Sequence, residues 1–325
     1  MRVLMLGGTR FIGRRIVTEL VERGDEVVVV HRGETEPDDF PECRHVHAAR
    51  EQFASVAGEL RSWQPDAVID TLAMTRADTL AVLPHLPETQ IVLLSSMDVY
   101  EAFGNVLAEK EGEPVPLNED SPVRAVRYPY ASSGIRSADY DKLDVEPSYV
   151  ERGATVLRLA MIYGEHDRQR REEFILRRVR AGRRTIPIGP GSWLWTRCYV
   201  GDVASAVLAT LGNSAVAGEI INIGEPAVRS MRGWSEQILA AAGHEAELVT
   251  VPEAVVPEDM RVTRTVAQHI VFDGYKAARL LGWSPPDVPA AIARSVAWHL
   301  ANPPNDADPD FTADDTALAA ATQAG

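Results

Sequence analysis

The stretch MLGGTRFIGRR at residues 5–15 decides the fold, because it follows a short apolar run and opens a helical pattern. Gly7 permits a tight turn there, and Gly13 allows the helix to pack closely against the strand. The helical pattern ends at Gly24, and a second β-branched run, EVVVV, follows at 26–30. A strand, a helix and a strand in that order predict a βαβ unit whose helix N-terminus faces a pyrophosphate group.

Similar runs recur along the chain and predict an α/β fold. Apolar strands separated by helices are typical of a parallel sheet that is covered on both faces. We therefore expect a Rossmann-type, doubly wound parallel sheet of about seven strands. The predicted strands lie at residues 2–6, 26–30, 44–48, 66–72, 91–96, 154–160 and 219–224.

The remaining segments lack this alternation and predict a smaller second lobe that is discontinuous in sequence. We expect a dinucleotide-binding domain at 1–164 plus 200–224 and a substrate-binding lobe at 165–199 plus 225–302. The last segment, 303–325, contains five aspartates and three prolines. Its composition predicts a disordered acidic tail.

Composition narrows the class of protein. The chain is 45% hydrophobic and 25% charged, which is typical of a globular protein. No apolar run is long enough to cross a bilayer, and the N-terminus enters a strand without a signal-like leader, so we expect a cytoplasmic protein. The cysteines, Cys43 and Cys198, and the histidines form no familiar zinc pattern, so the sequence predicts no metal site.

Charge argues against nucleic acid as a partner. The net charge of −14 would repel a phosphate backbone over most of the surface. The arginine-rich segment at 166–185 has two interpretations, an ion-paired helical face or an anion-binding site. A small anionic substrate fits that segment better than a duplex does.

The glycine-rich turn departs from the usual dinucleotide pattern at Arg10, which stands where a glycine normally lets the backbone approach phosphate. Either Gly8 and Thr9 provide that approach, or the Arg10 guanidinium contacts a phosphate oxygen. After the second strand the chain has His31 and Arg32 in place of an acid, which favours NADP, although Glu34 keeps NAD open. The predicted cofactor-binding residues are Gly7, Gly8, Thr9, Arg10, Phe11, Ile12, Gly13, His31, Arg32, Thr71, Leu72, Ala73, Ser95, Lys142, Ala160 and Ile162.

The chain also resembles the extended short-chain dehydrogenase/reductases of the NAD-dependent epimerase/dehydratase type, over about residues 1–300. The combination of GGTRFIG with HRG is most similar to an atypical branch that includes the chloroplast stem-loop-binding proteins. The resemblance implies a nicotinamide cofactor and homodimerisation through the helices that follow the fourth and fifth strands. It rests on the motifs GGTRFIG, LLSSMDVY, PLNEDSP, KLDVE, LRLAMIYG, YVGDVA, INIG and KAARLLGW.

The same resemblance implies that Ser96 orients the substrate and that Lys142 holds the nicotinamide ribose. The family's catalytic tyrosine, four residues before the lysine, is replaced by Ala138, which has no proton to exchange. Tyr130 and Tyr128 precede the predicted catalytic helix, and either of them or a water molecule would move the proton in its place.

Tyr140 is a poorer candidate, because two residues along a helix rotate a side chain by about 200°. For substrate binding we expect Ser96, Met97, Arg168 and Arg197. In many relatives the arginine that grips the substrate phosphate stands at the position of Trp195, and Arg197 lies two residues further on, on the same face of an extended strand.

These residues predict an atypical NADP- or NAD-dependent enzyme acting on a hydroxyl or carbonyl of a polar, anionic or nucleotide-sugar-like small molecule. The alternative is a cofactor-binding protein without redox turnover, a sensor or assembly partner, which the loss of the tyrosine favours. Nucleic-acid binding, by analogy with the stem-loop-binding branch, is the third and least favoured interpretation.

Overall fold

The structure is a computed structural model that describes residues 1–134, 136–305 and 310–324. Several single 3₁₀ turns connect its regular elements. Its strands are β1 Arg2–Leu6, β2 Glu26–His31, β3 Arg44–His47, β4 Ala67–Asp70, β5 Gln90–Ser96, β6 Thr155–Leu159, β7 Met161–Tyr163, β8 Thr185–Ile188, β9 Arg197–Tyr199, β10 Ile220–Ile223 and β11 Glu247–Thr250. Its helices are α1 Phe11–Glu22, α2 Phe53–Ser62, α3 Arg76–Val82, α4 Glu101–Leu107, α5 Glu146–Glu151, α6 Glu173–Arg180, α7 Val200–Thr210, α8 Met231–Ala241, α9 Tyr275–Leu281, α10 Val288–Ala301 and α11 Thr312–Ala324.

The central sheet confirms the predicted fold class. Seven parallel strands pair in the order β10, β6, β5, β4, β1, β2, β3. Each corresponds to one of the seven predicted runs, with ends that differ by no more than two residues. The strands are buried on both faces because their side chains are apolar almost without interruption, as in β1 and β2.

Helices cover the sheet on both sides. On one face, Ile16 and Leu20 of α1 pack into a core that also includes α7. On the other, Phe53 of α2 and Tyr149 of α5 pack into a second core. The strand order changes direction at β1, which pairs with both β2 and β4, and ligands of such sheets bind outside the carboxyl ends of the strands at this point.

Smaller elements lie outside this sheet. Parallel pairs form between β8 and β11 and between β7 and β9. Helices α6, α8 and α10 pack against one another beside them. The division into a dinucleotide-binding domain and a discontinuous lobe stays a prediction. In the ranges that the structure describes, no helix combines the length and the apolar character needed to cross a bilayer.

The prediction of a disordered tail is wrong for residues 312–324, which form α11 and pack against β8 and β11. The reason is an ion pair that local composition does not reveal. Arg178 is fully buried, and its guanidinium donates to Asp314 at 2.8 and 2.5 Å and to Asp259 at 2.7 and 3.1 Å. A buried guanidinium needs carboxylate partners, so the tail helix is held in place. The rest of the predicted tail includes residues 306–309 and 325, which lie outside the described ranges.

Candidate functional site

A cleft of about 790 Å³ opens at the carboxyl ends of β1, β2, β4, β5 and β6, and its volume is typical of cofactor sites. Five predicted catalytic or substrate-side residues line it, namely Ser96, Met97, Tyr130, Lys142 and Arg168. So do most of the predicted cofactor-binding residues, namely Gly7, Gly8, Thr9, Arg10, Phe11, Ile12, Gly13, His31, Arg32, Thr71, Leu72, Ser95, Lys142, Ala160 and Ile162.

The glycine turn forms the floor of the cleft and leaves no room for side chains. A β-carbon on Gly7 would lie 2.6 Å from Cγ of Leu72, and one on Gly13 would lie 2.7 Å from the Cα of Gly8. Arg10 is the N-cap residue of α1 and provides no side-chain acceptor for the helix. The first N–H groups of α1 are therefore available to an anion, so these residues fit a dinucleotide pyrophosphate.

A buried ion pair positions the loop after β4. Asp70 is fully buried and accepts two hydrogen bonds from Arg50, at 3.0 and 2.6 Å. The same carboxylate accepts from the N–H groups of Leu72 and Ala73 at 2.9 and 3.1 Å. Arg50 also lines the cleft, so this pair fixes the loop next to the glycine turn.

Lys142 is buried between two strand ends. Its ammonium group donates to the carbonyl of Ala73 at 2.6 Å and to that of Leu94 at 2.9 Å. Burial lowers its pKa to about 8, against the nearby charges of Asp70 and Asp98. Two of its three donors are thus taken, which leaves one for a ligand in the cleft. Ala73 itself does not line the cleft; its carbonyl serves the lysine instead.

Two tyrosine hydroxyls converge on one buried carboxylate in this cleft. Tyr140 donates to Oδ2 of Asp98 at 2.9 Å, and Tyr130 donates to the same atom at 3.2 Å. The other oxygen, Oδ1, is buried and has no hydrogen-bond partner among the described residues. Ser96 caps the short turn that carries Asp98, since its Oγ accepts from the Asp98 N–H at 3.3 Å. All four side chains line the cleft.

The electrostatics of this group keep both tyrosine hydroxyls protonated and make the carboxyl harder to ionise. Burial raises the pKa of Asp98, although Tyr140 donates to it and cations lie nearby. Burial and the charge of Asp98 raise the pKa of both Tyr130 and Tyr140. Neither hydroxyl is therefore a ready source of phenolate, and both act as donors to the carboxylate.

Contrary to the prediction, Tyr140 lines the cleft, because residues 136–141 before Lys142 do not form a helix. Ala138 lies in an exposed turn, Lys142 begins a single 3₁₀ turn, and α5 begins only at Glu146. Without helical rotation, Tyr140 is buried in the cleft wall, and the guanidinium of Arg136 lies 4.8 Å from its ring centre. Sequence reasoning missed both Tyr140 and Asp98. The two side chains meet only because the irregular chain before Lys142 folds back onto the turn after β5, and no local pattern predicts that contact.

Two predicted residues are not brought to the cleft. Tyr128 is 44% exposed, and its backbone N–H donates to Asp141. Arg197 is buried with its guanidinium 4.2 Å from the ring of Trp234. The rule of alternating faces did not apply to Arg197, because β9 begins at that residue and Trp195, which does line the cleft, lies before the strand.

The arginine-rich segment is largely ion-paired. Arg171 pairs with Asp167 at 2.8 Å, and Arg180 pairs with Glu173. Arg168 is exposed and lines the cleft. The interpretation as an ion-paired face therefore describes most of the segment, and Arg168 remains the candidate anion contact.

A model of the NAD dependent epimerase/dehydratase family matches residues 3–224. A chloroplast stem-loop binding protein of 41 kDa b from Arabidopsis thaliana is 27% identical over 98% of this chain and 84% of its own length. A putative UDP-glucose 4-epimerase of Methanocaldococcus jannaschii is 25% identical over 91% of this chain and 97% of its own length.

Solved structures share the fold. UDP-glucose 4-epimerase from Bifidobacterium longum, in complex with NAD⁺ and UDP, has a TM-score of 0.68 at 17% identity, over 93% of this chain and 99% of that one. This likeness shows the fold, and the family model, which spans well over half of the chain, shows the relationship. The protein belongs to the NAD-dependent epimerase/dehydratase family.

Proposed function

We propose that the protein is an NAD(P)-dependent enzyme that oxidises or reduces a hydroxyl or carbonyl carbon of a polar, nucleotide-sugar-like small molecule, with NADP preferred over NAD. The carrying observation is the convergence of Tyr130 and Tyr140 on the buried Asp98, beside Lys142 and above a glycine turn that fits a pyrophosphate. A bound nicotinamide supplies the acceptor or donor of hydride. The side chains of the cleft supply binding, orientation and proton transfer.

Arg32 supports the preference for NADP. Its guanidinium pairs with Glu34 at 2.8 Å, and both side chains are more than half exposed. An exposed pair of this kind contributes about 0–1 kcal/mol, so a 2′-phosphate can take over the guanidinium at little cost. The remaining donor of Lys142 serves the nicotinamide ribose, and Arg168 contacts an anionic group of the substrate.

Asp98 replaces the missing tyrosine as the base in this proposal. Tyr130 is half buried and lines the cleft, so its hydroxyl can accept the substrate proton while it passes its own proton to Oδ2 of Asp98. Tyr140 holds the carboxylate in place from the buried side. Ser96 orients the substrate oxygen. In the reduction direction the same protons move in the opposite sense.

The first experiment is calorimetric titration of the protein with NADP, NADPH, NAD and NADH. We expect NADP and NADPH, which carry the 2′-phosphate, to bind more tightly than NAD and NADH. Arg32→Ala should remove this difference in affinity. Failure of all four to bind would overturn the proposal. Sugar nucleotides are then screened for turnover that is detected as a change in nicotinamide absorbance.

Substitutions in the cleft test the base. Asp98→Asn and Tyr130→Phe should keep dinucleotide affinity while turnover falls by about 10²–10⁴-fold, the usual contribution of a general base. Tyr128→Phe, outside the cleft, is the control and should retain turnover. An Asp98→Asn variant with full turnover would exclude Asp98 as the base.

A second candidate is a cofactor-binding protein without redox turnover, favoured by Ala138, an exposed residue with no proton to exchange. It predicts that a dinucleotide binds but that no substrate changes its absorbance. The Arabidopsis relative is named for binding a stem-loop, yet the net charge of −14 and the ion-paired arginines argue against nucleic acid here. Cytoplasmic location and dimerisation stay predictions.

A further inference from the structure

Three imidazoles and a carboxylate meet at the edge of the sheet, outside the catalytic group. His31 ends β2, and His45 and His47 lie two residues apart on β3, where side chains share a face. The strands pair in parallel with His31 opposite His47. Glu36 approaches from the loop between the strands. Pairing of the two strands thus brings together four residues whose spacing in the sequence matches no short metal-binding motif.

The donor atoms of this cluster surround one point. Oε1 of Glu36 lies 2.5 Å from Nε2 of His47, 3.3 Å from Nε2 of His31 and 3.8 Å from Nδ1 of His45. The His31 and His45 nitrogens are 2.8 Å apart, and the four atoms all lie within 4.8 Å of one another. Ligands about 2.0–2.1 Å from a tetrahedral zinc ion lie roughly 3.3 Å from each other, so the observed spacing brackets that geometry.

The chemistry of the set selects the kind of ion. Imidazole nitrogen suits zinc and neighbouring transition metals, while calcium and magnesium prefer sites made of oxygen atoms. Three histidines with one carboxylate fill four coordination positions, which is typical of a closed site. We propose that His31, Glu36, His45 and His47 bind one divalent transition-metal ion, with zinc as the best match.

His31 must change its proton position to take part. The N–H of Gly33 donates to its Nδ1 at 3.2 Å, so Nε2 carries the proton in this arrangement and donates to His45 or Glu36. Coordination through Nε2 needs the lone pair there, so the proton moves to Nδ1 and the ring gives up the long Gly33 contact. Metal binding is therefore coupled to a change of the His31 tautomer.

The site would tie the loop between β2 and β3 to the sheet. His31, Glu34 and Thr35 line the cleft, so the ion would hold the segment that carries Arg32. The metal proposal stands on the four donors alone. It does not depend on dinucleotide binding or on turnover.

Zinc titration of the full chain tests the site. After treatment with a chelator, the protein is titrated with zinc in competition with a chromophoric chelator, and cobalt is used as a spectroscopic substitute. We expect one equivalent to bind and the cobalt complex to show the intense visible bands of a tetrahedral site. His45→Ala and His47→Ala should each weaken zinc binding by at least about 10–100-fold, the loss seen when even outer-shell partners are removed.

Controls separate coordination from folding. His85→Ala removes a histidine outside the cluster and should leave zinc affinity unchanged. Glu36→Gln alters a 44% exposed side chain, so it should fold normally and bind zinc more weakly. Equal zinc binding by the wild type and the His45→Ala/His47→Ala double variant would overturn the proposal. An octahedral cobalt spectrum would do the same.

Discussion

The glycine turn at 7–13 and the segment at 124–144 line the same cleft, but different forces shape them. The turn is a local structure, in which Gly13 packs on the backbone of Gly8 at the start of α1. The described residues of the segment, 124–134 and 136–144, are irregular apart from one 3₁₀ turn, and the buried Asp141 holds them by accepting from Arg124 and Arg127 at 2.9 Å each. The comparison teaches that one part of this cleft is encoded by neighbouring residues and another part by charges that meet across many residues.

Removing Asp141 gives the largest expected effect. Arg124 is buried, so Asp141→Ala leaves an uncompensated guanidinium. The free energy of unfolding, measured by urea denaturation, should fall by about 3–5 kcal/mol. If the segment is shaped by distant charges as argued, Tyr140 should also become accessible to solvent, as measured by tyrosine fluorescence.

The matched control is Asp144→Ala, which removes the other carboxylate partner of the part-exposed Arg127. Its cost should stay within about 1 kcal/mol, because an exposed partner can turn to water. Equal losses in the two variants would show that burial of Arg124 does not set the energy of this segment.

The same contrast explains which features of the fold and the cleft could be predicted from the sequence. The seven strands and the glycine turn were predicted because apolar periodicity and turn residues are local signals. Tyr140 was misjudged because a helix was predicted around it. The chain beside Asp141 is held in place by side-chain ion pairs and not by helical hydrogen bonds. The tail was misjudged because the partner of Asp314 is Arg178, 136 residues away. The histidine cluster was missed because its members share a site only after β2 and β3 pair.

The tail offers a second test of charges that act at a distance. Asp314→Ala removes one of the two carboxylates on the buried Arg178, while Asp259 remains. We expect a loss of about 1.5–3 kcal/mol in unfolding free energy, as for hydrogen bonds to charged groups, and faster proteolysis of α11. Asp315→Ala removes the exposed partner of Arg183 and should leave both measurements close to the wild type. Tail proteolysis at the same rate in both variants would contradict the role of Arg178.

The glycine turn should respond to volume instead of charge. In Gly13→Ala the new carbon would meet the Gly8 backbone at 2.7 Å, so strand and helix must separate. We expect a loss of about 1–3 kcal/mol in unfolding free energy and weaker dinucleotide binding by calorimetry. Gly58→Ala is the control, because its β-carbon meets nothing within 4 Å and a helical alanine gains about 0.5–1 kcal/mol. A Gly13→Ala protein as stable as the wild type would show that the close approach is not needed.

The smallest expected effect is the pH dependence of the unfolding free energy that the buried Lys142 produces. Burial lowers the lysine pKa to about 8 in the folded state, below its ordinary value of 10.5. Below about pH 8 the ammonium is charged in both states, so the full cost of burying that charge is present. As the pH rises from about 8 toward 10.5, the folded state releases its proton first, and the stability of the wild type should rise relative to Lys142→Met.

Urea denaturation of both proteins at about pH 7 and about pH 9.5 measures this difference, with Lys110→Met, an exposed lysine, as the control that should follow the wild type. A constant gap between wild type and Lys142→Met would mean that the lysine is solvated and that its bonds to the carbonyls of Ala73 and Leu94 are not kept in solution. A gap that narrows or reverses in the predicted direction would show that the charge of Lys142 is buried in the folded protein, against the carbonyls of Ala73 and Leu94, which are distant in the sequence.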